Sequence, residues 1–121
     1  MTNVQIFGLK SSQETRAAER FFKERRIPIQ FVDLKQKPMS PGELKRFTDR
    51  FGVQGVLDRE GKAFAEAGLG YMKLSDQDWL RRIEGDARLL RLPLVRLGNR
   101  LCVGRDDEAW KVIADEAGRQ K

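Results

Sequence analysis

Apolar and polar positions alternate at the start of the chain and then switch to a helical spacing. The stretch "NVQIFG" (3–8) alternates and ends at Gly8, which predicts a buried strand. Ala18, Phe21 and Phe22, with Ala17 at the margin, then fall on one helical stripe. Ser11 and Glu14 have the S-x-x-E spacing of a capping box, so this helix is expected to begin near Ser11 or Ser12. "RIPIQFVDL" (26–34) is rich in β-formers and predicts a second strand. Strand, helix and strand in that order point to a parallel βαβ unit.

The middle of the chain changes character. "KQKPMSPGE" predicts a loop that leads into a helix, with Ser40 as N-cap, Pro41 at the first helical position and Glu43 as the N3 acid. That helix is expected over 43–51, ending near Gly52. "GVLDREGKAFAEAGLG" predicts short helical pieces broken at Gly61, Gly68 and Gly70. A further helix should open at Ser75 and close near Gly85, with a short helical piece over 86–90. "LPLVRLGNRLCVG" (92–104) holds the clearest β signal, two apolar runs flanking the hairpin dipeptide Gly98-Asn99. The last segment predicts an acid-started amphipathic helix with Ala109, Trp110, Ile113, Ala114 and Ala117 on one face, and a lysine-ended tail that frays. Trp79 and Trp110 are expected in the core between helices and sheet.

The order is thus βαβ, a helical insert over roughly residues 40–91, and ββα. It predicts an α/β fold on a four-stranded mixed sheet, formed as one domain over 1–121, with no repeat and no linker. With Pro93 just before the third strand, this is the order of a thioredoxin-like fold.

Composition narrows the chemistry. The 121 residues include no histidine, which excludes Ser–His and Cys–His nucleophile pairs and every His-based metal site. No metal site is expected. The single cysteine, Cys102, cannot form an internal disulfide and fits a reducing compartment. No run approaches the ~18 apolar residues of a membrane span. The opening "MTNVQIFGLK" has no secretory signal pattern, so the expected compartment is the cytoplasm. Lys and Arg number 24 against 18 acids, a net charge of +6, with clusters at 23–26 and 80–92. Such an excess suits an acidic protein surface, a small anion or nucleic acid, or simply keeps the surface solvated. Without an RNA-binding aromatic signature or zinc-finger spacing, direct nucleic-acid binding is not expected. A monomer is the favoured state.

Ser12 stands where a polar turn meets a helix N-terminus, a place that favours an anion. A serine gains little reactivity there without a neighbouring base, and Lys10 is the one candidate close in sequence. The same serine could act as a plain N-cap or as part of an anion-binding loop with Lys10 and Ser11. Cys102 lies between Leu101 and Val103 in the final β-run, the setting of a small buried hydrophobe.

At this point the chain resembles a known family. "IFGLKSSQETRAAERFFKERRIPIQFVDL", "KQKPMSPGELKRF", "GVLDREGKAFAEAGL" and "LLRLPLVRLGNRLCVG" resemble, in order and spacing, successive segments of the arsenate reductase-like family, ArsC, which also includes the Spx regulators. The resemblance implies that the family's reactive cysteine falls at Ser12 and a second cysteine, of a C-x-x-C, at Thr15. It implies an oxyanion held by arginines, for which Arg59 and Arg91 match best and Arg105 less well. A guanidinium suits that task because its planar fork binds two oxygens at once. Each of the three could equally be a surface arginine paired with nearby acids. The resemblance also implies a cis Leu92–Pro93 bond facing the active-site loop.

Three functions follow as expectations. The first is an ArsC-like domain without thiol reductase activity, keeping a small-anion pocket or a protein-binding role. The second is an Spx-like regulator docking on RNA polymerase. The third is an active arsenate reductase-like or glutaredoxin-like oxidoreductase working through Ser12 or Cys102, and only this one would need a thiol donor such as glutathione. No other cofactor is implied.

Overall fold

Alternation along four strands places a separate apolar core on each face of one sheet. The computed structural model describes residues 3–119, and the expectation of a fraying tail at 120–121 lies outside them. Strands β1 (Val4–Gly8), β2 (Ile29–Asp33), β3 (Leu94–Leu97) and β4 (Arg100–Val103) assemble in the order β2-β1-β3-β4. β1 runs parallel to β2, with Val4 opposite Ile29, and antiparallel to β3, with Ile6 opposite Val95. β3 and β4 form the expected hairpin, in which Leu97 pairs with Arg100 across Gly98 and Asn99. Gly98 takes a φ of 59°, the left-handed conformation that such a turn requires.

Helix α1 (Gln13–Glu24) links β1 to β2, and α6 (Asp107–Arg119) ends the described chain. Both pack on one face of the sheet. There Val4 and Ile6 of β1, Val95 and Leu97 of β3, and Cys102 of β4 meet Ala18, Phe22, Trp110 and Ile113. The opposite face takes Phe7, Leu94, Leu101 and Val103 and is covered by the helical insert. The insert comprises α2 (Pro41–Phe51), α3 (Val53–Val56), α4 (Lys62–Glu66), α5 (Asp76–Gly85) and two single 3-10 turns at 69–71 and 87–89. Trp79 stacks on Phe64 within it, with ring centroids 5.7 Å apart and an interplanar angle of 14°. Fully burying a side chain of this kind stabilises the fold by about 1.5–3 kcal/mol, so the two cores account for much of its stability.

The caps explain where these helices begin. Ser40 Oγ accepts the Glu43 amide at 3.3 Å, with Pro41 in the first turn, as the spacing predicts. Ser75 and Asp78 form a reciprocal capping box on α5. α1 begins where expected but without the expected capping box. Its cap is Ser12, whose Oγ accepts the Thr15 amide at 3.2 Å, and Ser11 and Glu14 form no capping box. Both serines stand three residues before a possible partner. Ser12 prevails because the chain first turns through the Ser12 amide, which donates to Leu9 O at 3.0 Å.

An isolated antiparallel bridge, Leu57 to Leu90, closes the insert on itself. The Asp58 amide donates to Leu89 O and the Arg91 amide to Val56 O, each at 2.8 Å. This short ladder brings residues from the middle and the end of the insert to the front of α1.

Candidate functional site: the cleft at the start of helix α1

β1 ends at Gly8, and the loop from Leu9 to Ser12 carries the chain into the N-terminus of α1. A cleft of about 760 Å³ opens in front of this loop. Its walls include Ser11, Ser12, Asp58, Arg88, Arg91 and Arg105. The first amides of a helix lack acceptors within it. Here the Thr15 amide is used by Ser12 Oγ and the Arg16 amide by Ser12 O, while those of Gln13 and Glu14 have no acceptor among the described residues. The site therefore offers backbone donors, the positive end of a twelve-residue helix, and guanidinium groups.

The cations of the cleft differ in how far their charge is already answered. Arg88 makes a two-pronged pair with Asp86, Nε to Oδ1 at 2.9 Å and Nη2 to Oδ2 at 2.8 Å. That pairing lowers the Asp86 carboxyl below its ordinary value against the opposing effect of its partial burial, and raises the Arg88 guanidinium. Arg105 pairs with Asp107 at 3.2 Å and lies over the Trp110 ring at 5.9 Å. Lys62 reaches Glu66 at 4.0 Å. Arg91 makes no ion pair or side-chain hydrogen bond among the described residues, and its guanidinium and Cβ lie against Gly104. Arg91 is thus the cation of this cleft with its hydrogen-bonding fork unused.

The residues singled out in the sequence divide accordingly. Ser11, Ser12, Arg91 and Arg105 line the cleft. Lys10 is exposed and outside the cleft wall, and its carbonyl accepts a hydrogen bond from Arg16 at 3.1 Å. Arg59 also stands outside the wall. It donates to Gln54 Oε1 and lies over the Phe64 ring at 5.4 Å, so neither pairing with its acidic neighbours nor a place in the cleft describes it. Thr15 is fully buried, and its Oγ1 has no hydrogen-bond partner among the described residues. The Leu92–Pro93 bond is cis, and Leu92 lies in the cleft wall. Asp58 and Arg88 carry no sequence signal of their own. The Leu57–Leu90 bridge and the turn before it deliver them to the cleft.

Cys102 lies on the sheet face away from the cleft, 3% exposed. Burial, reinforced by the negative charge of Asp106, pushes its thiol up to about 12. Such a thiol is almost wholly protonated near neutrality and is a poor nucleophile. The described residues contain no group of His, Cys, Asp or Glu side chains suited to a metal ion, and no helix among them is long and apolar enough to cross a membrane.

The profile of the ArsC family matches residues 7–113. No curated protein matches the sequence. Among solved structures, the YFFB protein is 22% identical with a TM-score of 0.82, the likeness covering 91% of this chain and 97% of that one. An arsenate reductase from Vibrio cholerae is 22% identical with a TM-score of 0.78, covering 93% and 98%. An ArsC family related protein from Bacteroides fragilis is 16% identical with a TM-score of 0.79, covering 92% and 97%. At these identities the likeness establishes the fold, which is thioredoxin-like with an ArsC-type helical insert.

Proposed function

The chain belongs to the ArsC family, and from that premise we propose that it binds a small tetrahedral oxyanion at the start of α1 and performs no thiol-based reduction there. The observation that carries this reading is the unused Arg91 fork beside the unused amides of Gln13 and Glu14. A guanidinium and a helix N-terminus are complementary to one kind of ligand, a compact anion with several oxygens.

The absence of reduction follows from the state of the possible nucleophiles. The family resemblance assigns the reactive thiol to the position of Ser12. The hydroxyl of Ser12 is engaged as the helix cap, and the cleft contains no histidine to take its proton. Cys102 is shielded within the other core. Binding without redox turnover is what these groups support.

Thermal melting in phosphate or arsenate tests the reading. A ligand at 100 times its dissociation constant stabilises by about 2.7 kcal/mol, which is an easily measured shift. Arg91→Ala should reduce it sharply at the same ligand concentration. No shift with either ion would overturn oxyanion binding. Arsenate turnover with glutathione as donor, lost in Ser12→Ala, would overturn the absence of reduction.

A further inference from the structure

We propose that Asp58 sets the specificity of this cleft: its carboxylate accepts a hydrogen bond from the hydroxyl of a protonated oxyanion, so that hydrogen phosphate or hydrogen arsenate is taken and sulfate is refused. The inference rests on the oxyanion reading above and adds the feature by which one tetrahedral anion is told from another.

A carboxylate in an anion site calls for a reason. Of the acids in the cleft wall, Glu66 is answered by Lys62 and Glu14 is exposed to solvent. Asp58 is half-buried and has neither an ion pair nor a side-chain hydrogen bond among the described residues. Its neighbour Arg59, the obvious partner, is turned to Gln54 and Phe64 instead.

The Asp58 backbone is held in place. The Asp58 amide is fixed to Leu89 O at 2.8 Å, and its carbonyl accepts the Gly61 amide at 3.1 Å. Oδ2 stands only 2.5 Å from where a Cβ on Gly61 would be, so the absence of a side chain there leaves room for the carboxylate. The same two-residue ladder carries Arg91. One unmatched carboxylate and one unmatched guanidinium therefore flank a single bridge and line a single cleft.

Their charges impose opposite requirements on a ligand. Arg91 requires anionic oxygens. Asp58 repels an anion that has no proton to give, and leaves its own acceptor unpaired when one binds. An anion that keeps a hydroxyl at neutral pH satisfies both groups, with charged oxygens on the guanidinium and O–H on the carboxylate, a strong charge-assisted hydrogen bond. Phosphate and arsenate keep such a proton near neutrality and sulfate does not. A site built to accept a hydrogen bond discriminates sharply against a ligand that cannot donate one.

Titration calorimetry of the full chain with inorganic phosphate and with sulfate, at neutral pH and matched ionic strength, tests this. The unaltered protein should bind phosphate more tightly than sulfate by a factor on the order of ten or more. Asp58→Asn should bring the two affinities within about twofold, since the amide can also donate to an oxygen. Arg91→Ala should weaken both and keep their ratio. Equal affinities in the unaltered protein, or a ratio unmoved by Asp58→Asn, would overturn the role of Asp58 and leave oxyanion binding standing. Binding of neither ion would overturn both. The comparison in the unaltered protein decides the matter even if the Asp58 variant fails to fold.

Discussion

Thr15 fills the space in which a side chain on Gly8 would begin: its Oγ1 lies 2.5 Å, and its Cγ2 2.6 Å, from the position of a Cβ on Gly8. The end of β1 and the first turn of α1 thus meet without any room between them. Gly8→Ala should destabilise the protein by about 1–3 kcal/mol, the usual cost of overpacking. Thr15→Ala in the same chain should recover part of that loss. Denaturant titrations of the single and double variants would give the coupling, and simple additivity would contradict the contact.

The buried Thr15 hydroxyl is a separate liability, because Oγ1 has no partner among the described residues. Thr15→Val keeps the shape and removes the unsatisfied group. It should be neutral or stabilising by about 1 kcal/mol. A large loss of stability would show that the hydroxyl is bonded after all.

Thiol chemistry supplies a contrast between two positions. Cys102, with its thiol pushed up to about 12, should resist alkylation in the folded protein and react on unfolding. Ser12→Cys puts a thiol at the N-terminus of α1, where the helix favours the thiolate, and that thiol should react much faster in the native state. Losing the Ser12 cap should cost about 1 kcal/mol. Iodoacetamide labelling followed by mass spectrometry reads both sites, and native-state labelling of Cys102 at the rate of the Ser12→Cys thiol would refute the contrast.

Arg96 and Glu43 join β3 to α2 beneath the insert. Arg96 is 18% and Glu43 25% exposed, and Arg96 also donates to Gly98 O at 2.9 Å and to Gln5 at 3.3 Å. Truncating one partner of a well-buried pair costs about 3–5 kcal/mol, and this pair keeps some solvent, so Arg96→Ala should cost somewhat less. Replacing both residues should cost less than the sum of the single changes. Chemical denaturation of the cycle would reveal this, and full additivity would mean that the pair is solvated.

Asp86 makes stability depend on acid pH. Its carboxyl titrates below the ordinary value of 3.8 because Arg88 is bonded to it. The folded state therefore binds this proton less readily than the unfolded chain. The resulting stability is present above the ordinary carboxylate range and is lost as pH falls through the lowered value. Asp86→Asn should melt below the unaltered protein at neutral pH, and the gap should close in strong acid. A gap of constant size across that range would refute the linkage.

Sequence reading reached the fold because its signals are local. Alternation in β1, the two apolar runs of the final hairpin, the Ser40 and Ser75 caps, and Gly98-Asn99 each act over a few residues, and all agree with the four-stranded order. The cleft leaves a fainter trace in the sequence. The S-x-x-E spacing favours Ser11 as the cap, and the turn through Leu9 O gives the place to Ser12 instead. Arg59 and Arg91 look alike in sequence, yet Gln54 and Phe64 draw one of them away. Asp58 and Arg88 reach the cleft through a pairing between residues 33 positions apart in sequence (57 and 90), which leaves no periodic trace.

That pairing also makes the cleft observable from the backbone. The amides of Asp58 and Arg91 are each tied across the Leu57–Leu90 ladder, and each belongs to a residue whose side chain lines the cleft. Their exchange with deuterium requires the ladder to open, so its rate reports the local opening equilibrium. If one anion engages both side chains, as proposed, it ties the two halves of the ladder together, and exchange should slow at both amides, a gauge of occupancy readable without altering a residue.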